Sequence, residues 1–448
     1  KYSHPVVITV LCKLFNMFVT HGRVPDSFGK SYIIPIPKSN VINRALSVDD
    51  FRGITISPII SKLFEHVILT RFANYFVTSD NQFGFKKNLS CRHVIYTARC
   101  IVDHYTTNGS TVNMCCLDLS KAFDRMNHYA LFSKLMKKKL PCEILSILEN
   151  WFSVSVACVR WNGSVSHFFT LLAGVRQGGV LSPFLFAIFI DTLVDKVKAT
   201  GLGCYFRSAC VAILLYADDI LLLAPSVTAL QMLLSVCEEE LSYLDMQINV
   251  KKSMCIRVGP RSSVECLCLV SSNGGVLQWT SVCRYLGVFF VSGRVLRCSF
   301  VYSKGQFFKA FNAILSKVGG LASEEVIISL LRSKCLPVLL YGVEACPILA
   351  RDRHSFQFTV TRSFMKLFHT GSADVVNECC RYFDFLPLSY QIDIRTAKFF
   401  DQFMLSDNIV CQLFHDRAAC DLNKVYLSYG CDINSLSELL VLMHKFFD

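Results

Sequence analysis

Residues 213–224 read Ile-Leu-Leu-Tyr-Ala-Asp-Asp-Ile-Leu-Leu-Leu-Ala, and no other stretch of the 448-residue chain restricts the fold as tightly. Two adjacent carboxylates, Asp218 and Asp219, interrupt a run that is otherwise almost wholly apolar. Apolar runs of this length on either side of a short break read as two buried strands. The break reads as a tight turn, where Asp is well accommodated. The pattern therefore predicts a buried hairpin with two carboxylates at its tip. Buried charge is expensive unless something pairs it. A divalent cation is the usual partner, and carboxylate oxygens are the ligands Mg2+ prefers.

A second carboxylate of the same kind lies about a hundred residues upstream, in the stretch from Val112 to Asp124. Residues 114–117 read as a strand with Asp118 at its end, and Ser120, Lys121 and Asp124 open a polar, helix-starting segment. If the two strands are neighbours, Asp118, Asp218 and Asp219 meet and can share two ions. Two ions about 3.5–4 Å apart are the known arrangement for in-line phosphoryl displacement.

YADD at 216–219 and LDLSKAFDRMNH at 117–128 resemble the two metal-binding motifs of reverse transcriptases, and the DLSKAFD form is that of non-LTR (LINE-type) retrotransposons. The resemblance implies an α+β right-hand polymerase: fingers, a palm with an antiparallel sheet, and a helical thumb. It implies an RNA-directed DNA polymerase whose partners are template RNA, primer DNA and deoxynucleoside triphosphates. Its cofactor would be two Mg2+ ions, with Mn2+ as an alternative, held by Asp118, Asp218 and Asp219.

Further motifs follow in the family's order. IIPIPKSN at 33–40 and the segment at 50–72 resemble its fingers motifs, although the chain has Arg52-Gly53-Ile54 where Arg-Pro-Ile is usual. By resemblance, Lys38 and Arg52 contact the triphosphate, which demands fixed cations. QFGFKKNLSCRH at 82–93 offers rings for stacking and the cations Lys86, Lys87 and Arg92 for a template or primer. GVRQGGVLSPFLFAIFID at 174–191 resembles the template- and nucleotide-positioning motif, with Gln177 and Gly178 near the nucleotide and Arg176 suited to a phosphate or a neighbouring carboxylate. Ser182-Pro183 then starts a helix. Phe123, five residues after Asp118, matches the position of the steric gate that excludes a 2′-hydroxyl; a core Phe would look the same. Lys252, in an Asn-x-x-Lys-Ser form, takes the role of general acid toward pyrophosphate, with Lys251 as its neighbour. Tyr285 and Gly287, in CRYLGVFF, match the hairpin that grips the primer end.

Charge distribution agrees with a polyanion partner. The formal net charge is +12; residues 291–448 hold 17 Lys+Arg against 15 Asp+Glu, so +10 sits in the first 290 residues with the motifs. Such a field attracts phosphates without sequence preference, though a membrane-surface protein would also carry it. Mean hydropathy is high at +0.40, yet no run of 18 uncharged apolar residues exists, so no membrane span is expected. The 22 cysteines are scattered with no Cys-x-x-Cys pair. They read as reduced thiols of an intracellular protein, with no zinc site. The resemblance places it in nucleus and cytoplasm as a ribonucleoprotein.

The expected divisions are an N-terminal extension at 1–29, fingers and palm at 30–290, and a helical thumb and C-terminal region at 291–448. Residues 6–19, 58–75, 143–152 and 227–244 read as helices, and 158–173 as a hairpin around Asn162-Gly163. Lys134 to Lys139 and Glu238 to Glu240 read as solvated helix faces, and His128 as structural. The first residue is Lys, so a longer reading frame is expected. Target-primed synthesis, which the resemblance also implies, needs an endonuclease that these motifs do not supply. Rival readings are a group II intron-type reverse transcriptase, a viral RNA polymerase, a non-catalytic RNA-binding relic and, more distantly, a membrane protein.

Overall fold

The computed structural model describes residues 4–38, 45–318, 321–430 and 435–447, the last four of these by backbone alone. Ser39 and Asn40, which end the first fingers motif, lie outside the described residues. The fold is α+β, in two compact units that are each discontinuous in sequence.

The first unit comprises Lys1–Phe85, Leu119–Ala199 and Ser235–Asn249. Its sheet is built around Lys30–Pro37, antiparallel to Phe51–Ile56 and parallel to Val156–Trp161. The parallel pairing covers only residues 30–33. Pro35 and Pro37 therefore fall where the strand has a single neighbour, the place in a sheet where a missing N–H is tolerated. Asn162 and Gly163 both take positive φ, 46° and 87°, between Val156–Trp161 and Ser164–Val165. That is the turn an Asn-Gly pair favours. Behind the sheet, Phe15 and Phe18 of the helix Pro5–His21 meet Phe64 at 4.9 and 5.5 Å, and Phe64 stacks on Trp151 at 6.0 Å. Aromatic pairs at these spacings add to simple burial.

Two surface expectations fail in this unit. Lys134 is buried on the helix His128–Lys137, where its ammonium donates to the Phe189 carbonyl and to the Thr192 hydroxyl and lies 3.7 Å from Glu240. Glu240 is buried with it. A run of like charges looks solvated in sequence, but one member of each run is drawn inward because the other supplies its counter-charge.

The second unit comprises Lys86–Asp118, Thr200–Leu234 and Val250–Asp448. Its centre is a four-stranded antiparallel sheet in the order Met254–Val258, Val112–Leu117, Asp219–Ala224, Ile213–Tyr216. Every residue of Val112–Leu117 is buried, which suits its largely apolar sequence. The polar exception is Asn113, whose amide donates to the Ala224 carbonyl and whose oxygen accepts from Arg257 Nε at 3.0 Å. Helix Cys91–Thr107 lays Val94, Ile95, Ala98, Ile101 and Val102 in the core. A hairpin, Val282–Tyr285 and Val288–Val291, joins Arg297–Ser299 in a smaller sheet.

Beyond residue 300 the described chain is helical. Helix Leu388–Met404 packs Phe399 and Phe403 against His93 and Tyr96 of helix Cys91–Thr107, with Tyr96 and Phe403 rings 4.9 Å apart. Glu344, 1 % exposed, holds Arg92 at 2.9 Å and Arg395 at 3.5 Å. One helical stretch, Glu324–Ala345, is long and apolar enough to cross a membrane, and half of it is buried within the fold. The described cysteines are free thiols.

His93 makes the packing of helix Leu388–Met404 sensitive to acid. Its Nδ1 accepts from the Ser90 backbone N–H at 3.2 Å, while its Nε2 is buried with no partner. Burial, aided by the Arg92 charge, pushes the imidazole down to about 4 from 6.5. Between those values the unfolded chain binds the proton and the folded one does not, so this group's contribution to stability falls as pH drops from 6.5 toward 4. Hydrogen exchange in residues 388–404 should quicken across that window, and His93→Gln should flatten the dependence. Equal pH profiles for the two proteins would contradict this account.

Candidate active site

The three acidic residues singled out in the sequence belong to one sheet end. Leu117 pairs with Ile220, so the next step outward sets Asp118 opposite Asp219. Cα atoms of antiparallel partners are about 4.5–5.5 Å apart. Asp219 also pairs with Tyr216 across the hairpin, which leaves Ala217 and Asp218 as a two-residue turn. The turn is one residue shorter than two aspartates at its tip would suggest, because Asp219 already opens its strand. Ala217 holds a φ of 57°, a region that favours glycine. Strain of this kind, worth roughly 1–3 kcal/mol, concentrates at functional sites. Nothing in the sequence marks it.

Electrostatics bears out the crowding. Burial first, then Asp218 and Asp118, raises the Asp219 carboxyl to about 6, and Arg284 pulls it the other way. Lys252 Nζ lies 3.6 Å from Asp118 Oδ2, and its side chain is 63 % exposed, so the pair itself contributes under about 1 kcal/mol. The structure thus separates Lys252 from its neighbour Lys251 as the lysine at the carboxylates. The next residue, Ser253, accepts the Asp118 backbone N–H at 3.1 Å. Sequence reasoning passed over Arg284, whose one signal is its place beside Tyr285.

An all-oxygen set of three neighbouring carboxylates fits a hard divalent cation. Burial first, then the Asp218 and Asp118 charges, raise the Asp219 carboxyl against the pull of Arg284, as a site for a cation would. Among the described residues, no three acidic, His or Cys side chains already form a closed metal cage. The fit therefore rests on donor chemistry and proximity.

The remaining motif residues of this unit divide. Tyr285 is 2 % exposed and its buried hydroxyl has no hydrogen-bond partner; the ring is not available to a primer, which corrects the expectation for its side chain. Gly287 sits in the two-residue turn after it with φ 84°, next to Leu286 at 46°. Arg92 pairs with Glu344 and Gln402, with its side chain 32% exposed. Lys86 is half-buried and Lys87 exposed.

The first unit carries the motifs expected to face a nucleotide. Phe123 is half-buried, stacked on Phe186 at 4.8 Å with planes 17° apart and edge-on to Phe85 at 6.5 Å. Gln177 donates to Asp124 Oδ1 at 3.2 Å, and the Gln177 carbonyl accepts the Thr55 N–H at 2.7 Å. Gly178, at φ 128°, passes so close to strand Phe51–Ile56 that a Cβ would fall 2.6 Å from the Thr55 oxygen. Only glycine fits there. Lys38 and Arg52 are exposed, and Lys38 Nζ donates to the Asp49 carbonyl. Arg176 does not reach outward; it donates to the Phe28 and Gly29 carbonyls and to Ser155. His128 contacts the Gly174 carbonyl at 2.8 Å, in keeping with a structural role.

Removing one charge from the cluster should stabilise the metal-free protein. Above pH 6, Asp219→Asn relieves the repulsion, and its thermal midpoint in chelator should rise by about 1–3 °C. At pH 5, where Asp219 already binds a proton, the gain should shrink. Mg2+ should stabilise the parent chain more than the variant. A variant less stable than its parent in chelator at pH 8 would contradict the repulsion.

The comparisons with known proteins agree with this geometry. The family model described as reverse transcriptase (RNA-dependent DNA polymerase) matches residues 36–290. A Pol polyprotein from the type-2 retrotransposable element R2DM of Drosophila melanogaster is 25% identical over 67% of this chain and 29% of its own length. The RNA-directed DNA polymerase from mobile element jockey of Drosophila funebris is 28% identical over 62% of this chain and 30% of its own. A Pol polyprotein from an R2 element of Popillia japonica is 25% identical over 75% of this chain and 47% of its own, so the chain spans less than half of each of these relatives. Among solved structures, telomerase from Candida albicans covers 94% of this chain and 68% of its own with a TM-score of 0.45 at 11% identity. A family match over more than half its length, centred on the carboxylate-bearing sheet, places the chain in the reverse transcriptase family, on the side of the non-LTR retrotransposons.

Proposed function

We propose that this chain copies RNA into DNA by adding deoxynucleotides to a primer 3′-hydroxyl. The observation that carries the reading is the register that sets Asp118 opposite Asp219, beside Asp218. Asp118, Asp218 and Asp219 would hold two Mg2+ ions, with Mn2+ as an alternative. Divalent cations so bound lower the pKa of the attacking hydroxyl and offset charge on the leaving oxygen. The primer hydroxyl attacks the α-phosphate, and pyrophosphate leaves.

The chain's own groups take the other roles. Lys252, exposed beside Asp118, gives a proton toward the departing pyrophosphate. Lys38 and Arg52, both exposed, meet the triphosphate. The half-exposed Phe123 ring, braced by Phe186, closes the space a 2′-hydroxyl would need. Gln177 and Gly178 line the nucleotide with polar and bare backbone surface. Lys86, Lys87 and the Gly287 turn serve the template–primer. Free thiols suit a ribonucleoprotein working in cytoplasm and nucleus.

Primer extension on an RNA template tests the reading. The parent chain should add deoxynucleotides in Mg2+, and Asp218→Asn should lose at least about a thousandfold. Phe123→Val should admit ribonucleotides at least tenfold better, on the order of what a removed steric contact allows. Equal extension by parent and Asp218→Asn would end the proposal. A parent preference for ribonucleotides would favour an RNA polymerase, and no extension together with no Mg2+ binding would favour a relic.

A further inference from the structure

Tyr341 stands on the turn between Val282–Tyr285 and Val288–Val291. It follows the short helix Leu336–Leu339, far in sequence from every motif named above. Its hydroxyl donates to the Leu286 carbonyl at 3.1 Å. Its ring closes over Gly287, where a Cβ would fall 2.8 Å from Tyr341 Cε1. The next residue, Gly342, presses on the same hairpin; a Cβ there would lie 2.8 Å from Val288 Cγ1. Residues 341–342 are thus seated on the 286–288 turn.

That turn belongs to the hairpin that carries Arg284, whose charge acts on Asp219, and Tyr285, which feels the Asp219 charge. Tyr341 also faces the Cys91 thiol, and so does Tyr216, the cross-strand partner of Asp219. Tyr341 therefore meets both the Leu286-Gly287 turn and the Cys91 side chain that Tyr216 also faces. Yet it is 44% exposed, so one part of the ring holds the turn while the rest remains open to solvent.

We infer that Tyr341 is a positioning residue for the primer end: it braces the 286–287 turn and offers its open ring to the terminal nucleotide. This rests on the polymerase reading above. Base–aromatic stacking is indifferent to sequence, as a group serving every successive primer terminus must be. The geometry also gives Gly287 its reason, since any side chain there would displace the ring.

Steady-state primer extension by the full chain on an RNA template with a DNA primer tests this, with Asp218→Asn as the inactive control. Tyr341→Leu should lower kcat roughly tenfold through misplacement of the attacking hydroxyl, with the KM for the nucleotide within about twofold. Tyr341→Phe, which keeps the ring, should lose only about two- to fivefold, the size of one hydrogen bond. Gly287→Ala should resemble Tyr341→Leu, and the double variant should be little worse than either, because both act through one contact. Parent-like kcat in Tyr341→Leu, while Asp218→Asn is dead, would overturn the inference and leave the polymerase reading standing. Loss in Tyr341→Leu alongside a lowered thermal midpoint, with Tyr341→Phe and Gly287→Ala both parent-like, would reduce Tyr341 to packing and overturn it too. A parent chain that extends no primer would remove the polymerase reading and this inference together.

Discussion

The antiparallel register between Val112–Leu117 and Asp219–Ala224 is the constraint from which the rest follows. It brings together carboxylates a hundred residues apart in sequence. A slip of one residue would turn every side chain of one strand to the other face and separate Asp118 from Asp219. The register is held by burial: Val112–Leu117 has strands on both sides and helix Cys91–Thr107 among its neighbours, so no polar alternative competes. Asn113 pins it further, bonding to Ala224 on one neighbour and Arg257 on the other. The same burial that fixes the strands raises the cost of the charge at their ends. Stability and function therefore pull in opposite directions at Asp219.

Charge elsewhere in the molecule is handled differently. Glu344 is neutralised by two arginines, Glu240 by Lys134, and Asp421 by Lys424, Arg99 and Arg417. Each of these three buried carboxylates has its cation in place, and buried Glu65 instead accepts the Val180 and Leu181 N–H groups. At Asp118, Asp218 and Asp219 the available cations are the exposed Lys252 and the exposed Arg284, and they leave Asp219 raised. The contrast identifies which acidic cluster is built to receive charge from outside and which are internal braces.

Much of the candidate site was legible because its residues are adjacent in sequence or end strongly apolar strands. The hairpin at 213–224, the strand before Asp118, the Asn162-Gly163 turn and the helix at Ser182 all follow from local pattern and turn chemistry. Where the reading fell short, long-range pairing was responsible. Arg92 sits in a basic, aromatic loop that suggests a nucleic-acid contact, and Glu344 pairs with it from 252 positions away. Lys134 and Glu240 each sit in a like-charged run, and each is buried only because the other is there. Tyr285 was expected at the primer end through its motif, and its ring is buried.

Through the family resemblance the chain implied the α+β class; by itself the sequence determined the strands that end in carboxylates and the sign of the charge that accompanies the motifs. Those depend on periodicity, on turn residues and on the chemistry of single side chains, all of which are local. Only the tertiary structure decided which lysine meets Asp118, which arginine draws on Asp219, that Ala217 is strained, and that Tyr341 reaches the Leu286-Gly287 turn. Those depend on packing between segments far apart in the chain, and no single-segment pattern records a partner that lies across the fold.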